Sequence, residues 1–314
     1  MKYYTLDKSR YLRFLAVLLA VIIVLSSCTI TVKTDKCSFL QHNINAIKQL
    51  NQKERETLAL RMVECAISKA EQSGASEDNL PFFLHKPGNK KAVLLLHGFT
   101  ATPWELKELA VHLADRGFSV YVPLLKGHAT TPSELKTTSW EEWYASALYG
   151  YNLLFILSED VNVAGFSMGG LLAILLAENK PVHGIVAINT PMLIKDKRMH
   201  FAGFFKYFID YVKNPNVAQE DEHYYKQRPV AAIAELNQLM KKAKSSLNNV
   251  RSPILILQAQ YDEVVEPSSA EIIADNIGSL TIKKVAVDAK SHMILKGKDK
   301  KEIFNLISGF LAEN

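Results

Sequence analysis

The chain has 314 residues, enough for one α/β domain with additions or for two small domains. Its 48% hydrophobic and 22% charged residues are a globular composition, which excludes a disordered chain. The net charge is +5, and Lys2, Lys8, Arg10 and Arg13 against Asp7 supply most of it at the start, so too little remains elsewhere to indicate a nucleic-acid partner.

The basic start leads into an apolar run from Phe14 to Leu25. As a helix these residues rise about 18 Å, short of the ~30 Å hydrocarbon core of a bilayer. That length predicts the apolar region of a signal peptide over 1–27. The next residues, Leu25-Ser26-Ser27-Cys28, resemble the bacterial lipobox. The resemblance implies lipidation at Cys28, a membrane partner reached through that lipid, and an extracytoplasmic place in the cell envelope. An uncleaved anchor or an ordinary secretory signal is the alternative. Outside the cytoplasm a disulfide between Cys37 and Cys65 is permitted; two free thiols are the other reading.

Residues 28–79 form an extension. Ile44, Ile47, Leu50, Leu58, Met62, Val63, Ala66 and Ile67 recur at near-helical spacing, which predicts one or two amphipathic helices over 41–72. No chemistry is visible there.

From residue 80 to 314 the pattern changes. Apolar runs suited to buried parallel strands are 92–96, 120–123, 161–166, 184–188, 254–259 and 282–287, with an edge strand at 81–85. Helical stretches alternate with them at 103–116, 139–157, 170–179, 268–276 and 301–311. The alternation predicts an α/β fold with a doubly wound, mostly parallel sheet, whose functional groups collect at the carboxyl ends of the strands. The interval from 188 to 254 shows no strand-like run, only helical periodicity at 201–212 and 230–244. It is too long for a plain connection, and a small helical cap is expected at about 192–250.

The chemistry centres on Gly165-Phe166-Ser167-Met168-Gly169, between a predicted strand and a predicted helix. Gly-x-Ser-x-Gly in that setting is a nucleophile elbow, and the helix aims its N-terminal amides at developing negative charge. The alternative is a tight turn whose serine only caps the helix. A serine hydroxyl needs a base, and the base needs an orienting acid. Asp262 follows the strand 254–259 and His292 follows the strand 282–287, so the order is Ser, Asp, His. Glu263, Glu266 and Asp288 compete for the acid's role. His42 and His85 lie outside the expected site, His183 falls at the wrong end of a strand, and His200 and His223 are expected to be exposed on the cap. Two backbone donors are expected for an oxyanion: the Met168 amide, and the Phe99 amide in the loop His97-Gly98-Phe99-Thr100. His97 reads as a buried histidine that shapes this loop.

These pieces together resemble the α/β-hydrolase family, in its bacterial carboxylesterase and monoacylglycerol-lipase branch. Ala92-Val-Leu-Leu-Leu-His-Gly-Phe-Thr100, Pro123-Leu-Leu-Lys-Gly-His128, Gly165-Phe-Ser-Met-Gly-Gly170, Gln258-Ala-Gln-Tyr-Asp262 and Ser291-His292 carry the resemblance. It implies hydrolysis of carboxylic esters of short or medium acyl chains, or of monoacylglycerols, with no cofactor. It implies Ser167, Asp262 and His292 as catalytic residues, and Phe99 and Met168 as oxyanion donors. A thioesterase, peptidase or acyltransferase on the same triad stays open, as does a non-catalytic binding lipoprotein. Ala129 stands where many relatives have glycine. Phe204, Phe205, Phe208 and Tyr211 read either as the lining of an acyl pocket or as packing between cap and core.

Overall fold

The computed structural model describes residues 50–215, 217–218 and 221–313, all within one compact unit, Asn43–Asn314. The signal peptide, Cys28, Cys37, His42 and the first part of the extension lie outside the described residues. The rest of the extension is one helix, α1 (Gln52–Gln72). It opens with a capping box: the Asn51 side chain accepts from the Glu54 amide at 3.1 Å, and Glu54 accepts from the Asn51 amide at 2.9 Å. Its Ala59, Met62, Val63 and Ala70 are buried. Half-buried Cys65 on this helix is disulfide-bonded, so the free-thiol reading fails for it.

Next come β1 (Phe82–Leu84), β2 (Lys91–Leu96), α2 (Lys107–Asp115), β3 (Ser119–Val122), α3 (Pro132–Lys136), α4 (Trp140–Leu157), β4 (Asp160–Phe166), α5 (Met168–Asn179) and β5 (Ile185–Ile188). The chain then forms α6 (Ala202–Phe205), β6 (Tyr211–Lys213), β7 (Gln227–Pro229) and α7 (Val230–Ser246). It ends with β8 (Ile254–Ala259), α8 (Ser269–Asn276), β9 (Ile282–Val287) and α9 (Lys300–Glu313). Seven strands form one sheet in the order β1-β3-β2-β4-β5-β8-β9. β1 runs antiparallel to β3, and every other pairing is parallel.

β5 and β8 are buried along their whole length, and β2 and β4 everywhere except their first residue. Helices cover both faces, which is why these strands read as continuous apolar runs. The register sets Leu96 beside Gly165, Phe166 beside Ile188, and Ile188 beside Leu257. The loops after β2, β4, β5 and β8 therefore leave the sheet at the same end.

The structure departs from the expectations at four points. β9 lies where expected but is an exposed edge strand, with Lys283 and Lys284 on it, not a buried one. The five-residue helix α3 was not anticipated; Pro132 at its first turn and the Thr131 cap on the Glu134 amide hold it. The interval before β8 does contain strands, because β6 and β7 pair in an antiparallel ribbon. The helix expected over 201–212 shrinks to the single turn α6. Phe204 is 64% exposed and Phe208 73%, so no core contact sustains a longer helix there.

Candidate active site

Ser167 sits between β4 and α5 with φ 53° and ψ −118°. This left-handed conformation is costly for a residue with a side chain, by about 1–3 kcal/mol. The surroundings enforce it. The Ser167 amide donates to the Ile188 carbonyl at 2.8 Å, and its carbonyl accepts from the Gly170 amide at 2.9 Å. A Cβ at Gly165 would collide with the Gly169 carbonyl, and one at Gly169 with the Leu96 carbonyl. Glycine on both sides of the turn is thus a steric requirement of backbone packed on backbone.

Asp262 follows β8 and is fully buried. Its Oδ1 accepts from the Val264 and Val265 amides at 2.8 and 2.9 Å. Its Oδ2 accepts from His292 Nδ1 at 2.7 Å. The loop carrying His292 is tied down twice more. The His292 amide donates to Glu263 Oε2 at 2.7 Å, and the His292 carbonyl accepts from Asn189 Nδ2 at 2.7 Å. Asn189 Oδ1 in turn accepts from the Ala259 amide at 2.8 Å. Asn189, itself at φ 44°, so joins the ends of β5 and β8 to the histidine loop. The imidazole stands 4.9 Å, centroid to centroid, from the ring of Phe166, the residue before the serine. Ser167 and His292 line the same cavity, with no hydrogen bond between them.

The loop after β2 completes that cavity. His97 is fully buried; its Nδ1 hydrogen-bonds the Gly98 carbonyl at 3.0 Å and its Nε2 accepts from the Leu125 amide at 3.2 Å. Burial, with His128 alongside, holds its pKa well below the ordinary histidine value, so the ring is neutral. Neither the Phe99 nor the Met168 amide has a hydrogen-bond acceptor among the described residues. The same cavity wall holds Glu105, 3% exposed, whose Oε2 accepts from the Gly98 amide at 2.7 Å. Burial raises its pKa to about 7 against the opposing pull of that hydrogen bond. Glu105 escaped sequence reasoning because an acid in the first turn after Pro103 reads like any surface carboxylate. Only the tertiary fold buries it.

The cavity holds about 360 Å³. The segment between β5 and β8 forms its outer wall with Met199, Asn214, Tyr224, Arg228 and Leu236. Phe204, Phe205, Phe208 and Tyr211 do not line it. His223 is not a free cap residue: it stacks on Trp104 at 3.9 Å and hydrogen-bonds Asn79 at 2.8 Å. Among the described residues, no cluster of three or more His, Cys, Asp or Glu is placed to hold a metal ion.

A parallel sheet that lifts a strained serine into one cavity with a buried Asp–His pair is the arrangement of the α/β serine hydrolases. The chain belongs to one of their families: its residues 87–299 match the model of the Hydrolase_4 family, described as serine aminopeptidase, S33. A carboxylesterase of Bacillus subtilis (strain 168) is 28% identical over 231 residues, spanning 72% of this chain and 94% of that protein. A thermostable monoacylglycerol lipase of Bacillus sp. (strain H-257) is 34% identical over 229 residues, spanning 71% of this chain and 90% of the lipase. A solved structure described with the metagenome-derived lipolytic enzymes LipS and LipT is similar, with a TM-score of 0.72 at 27% identity over 76% of this chain and 100% of that one.

Proposed function

We propose that the chain cleaves carboxylic esters of short or medium acyl chains, or monoacylglycerols, through an acyl-enzyme on Ser167. The observation that carries this is the 2.7 Å bond from His292 Nδ1 to a fully buried, doubly amide-bound Asp262, in one cavity with Ser167. Asp262 fixes the imidazole with Nε2 free to act as base, and its charge favours the imidazolium that forms. Ser167 Oγ attacks the ester carbonyl while His292 takes its proton. The unpaired amides of Phe99 and Met168 receive the oxyanion, each worth about 3 kcal/mol in enzymes of this kind. The imidazolium protonates the departing alcohol. Water, deprotonated by the same histidine, then releases the acid. The monoacylglycerol lipase and the carboxylesterase among the relatives favour esters over the peptide bonds of the family's description. The test is Ser167→Ala assayed with p-nitrophenyl butyrate. Hydrolysis is expected to vanish; retained turnover would mean that another group is the nucleophile.

The lipobox-like Leu25-Ser26-Ser27-Cys28 supports a membrane-tethered, extracytoplasmic enzyme. Cys28→Ala is expected to abolish metabolic labelling with a palmitate analogue and to move the enzyme from the membrane to the soluble fraction. A variant still sedimenting with membranes would speak for an uncleaved anchor.

A further inference from the structure

Arg228 lies on β7, in the cap wall of the cavity that holds Ser167 and His292. Its Nε is buried without a hydrogen-bond partner, and no atom of its guanidinium forms a hydrogen bond or ion pair among the described residues. Among the described residues, the one carboxylate that acts on it electrostatically is Asp196. Both Asp196 oxygens are already taken by Arg198, Oδ1 by Nε and Oδ2 by Nη2, each at 2.8 Å. An arginine stays protonated even when burial opposes its charge. The side chain is half-buried, so a guanidinium partly withdrawn from water lacks a bonded anion among the described residues.

The other charged side chains on the cavity wall are each bonded or stacked, Asp221 by the His223 amide. Lys296 lies over the Trp104 ring and feels Glu108, Glu105 and Asp221. Glu263 is bound to the His292 amide, and Glu105 to the Gly98 amide. Arg228 is therefore the cation left over, beside an apolar wall that includes Ile194, Met199, Leu236 and Val265. A substrate that is apolar along most of its length and anionic at one point fits that wall. The planar fork of a guanidinium matches carboxylate and phosphate oxygens two at a time.

We propose that Arg228 receives an anionic group of the substrate, so that the preferred esters carry a carboxylate or phosphate away from the scissile carbonyl. The inference rests on the ester-hydrolase reading above.

The test compares two pairs of esters at neutral pH. Monoethyl adipate against ethyl hexanoate places the anion on the acyl side. 1-Butyrylglycerol 3-phosphate against monobutyrin places it on the alcohol side. In at least one pair, kcat/KM is expected to favour the anionic member by about tenfold or more, and the favoured pair names the side. In Arg228→Gln that ratio should fall by about tenfold or more, and in Arg228→Lys it should partly return. General damage to the fold would lower both members of a pair together and leave the ratio in place. Arg228→Met, which keeps the apolar stem, replaces the glutamine variant if that one does not fold. Hydrolysis of the neutral esters with no anionic preference in either pair overturns the proposal and spares the ester-hydrolase reading. So does a preference that survives at residue 228. If none of the four esters is cleaved, the ester-hydrolase reading itself falls.

Discussion

The floor of the cavity and its cap are built on opposite terms. On the floor, the acid and the amide that position the histidine loop are held by backbone. Asp262 is bound by two amides and an imidazole, and Asn189 by one amide and one carbonyl. The cap leaves several buried polar atoms unpaired even where the same side chain is bonded elsewhere. Arg228 Nε, Asn214 Oδ1 and Asn237 Oδ1 are buried without partners, and Phe204 and Phe208 face outward. The floor is assembled from the ends of neighbouring parallel strands, whose register is fixed by the pairing of the whole sheet. The cap is a single long connection with a two-stranded ribbon and little core of its own. Pre-organisation thus resides in the sheet, and the wall that faces it across the cavity resides in the connection.

The sharpest way to break the contrast is at the most rigid point of the floor. In Asp262→Asn the Oδ1 bonds to the Val264 and Val265 amides can persist, and the new amide turns toward His292 Nδ1. That favours the tautomer with its proton on Nε2, which cannot accept the serine proton. The equivalent change in another triad lowers kcat by about 10⁴, and a loss of roughly 10³–10⁴ with little change in KM is expected here. Steady-state kinetics and a melting curve check it. A loss of only a few fold would mean that Asp262 does not orient the base.

Next in size is Glu105, a floor residue bonded to the Gly98 amide and buried at a cost. In the unfolded chain its carboxyl ionises near 4.5, and in the folded protein at about 7. Between those values the folded state keeps a proton that the unfolded state has lost. Stability therefore falls as pH rises through that window and is level above it. The full effect is about 3 kcal/mol, at 1.36 kcal/mol per pH unit. Gln at this position keeps an acceptor for the Gly98 amide but cannot ionise. Urea unfolding at pH 5 and pH 8 should show the wild type losing up to about 3 kcal/mol more than Glu105→Gln. Parallel losses in the two proteins would place the titration elsewhere.

The same contrast separates what the sequence discloses from what it hides. The strands of the floor are legible because burial on both faces makes them runs dominated by Val, Ile, Leu and Ala, broken only by single residues such as Asn162 and Gln258. The elbow is legible because backbone contact at Gly165 and Gly169 tolerates no side chain. Asp262 and His292 are legible as acid and base types placed just after strands. Asn189, Glu105 and Arg228 are not. Asn189 bonds groups distant in the chain, Glu105 is buried only by the tertiary fold, Arg228 has no bonded partner among the described residues, and nothing local marks any of them. Ala129 stands between the two cases. It adopts φ 55°, a left-handed conformation that favours glycine, and here a residue with a Cβ carries the cost. In the cap, the pattern at 201–212 has a helical period with no surface to pack against. Periodicity alone does not separate an apolar face that is buried from one that is exposed.

The smallest expected effect bears on that cap face. Phe204 packs edge-on against Phe205 and tilted against Phe208, at 5.4 Å in both cases, but these rings meet each other and solvent rather than the core. A buried phenylalanine cut to alanine costs about 3–5 kcal/mol. Exposed side chains away from special features usually change stability by about 0.5 kcal/mol or less. The double variant Phe204→Ser, Phe208→Ser should therefore unfold within roughly 1 kcal/mol of the wild type. Its turnover of a water-soluble short ester should stay unchanged, because neither ring lines the cavity. A loss of several kcal/mol would show that the stripe is packed in solution and that the cap has a core like the floor's. A selective rise in KM for the short ester would place the rings against the substrate, as the acyl-pocket reading of the sequence expects.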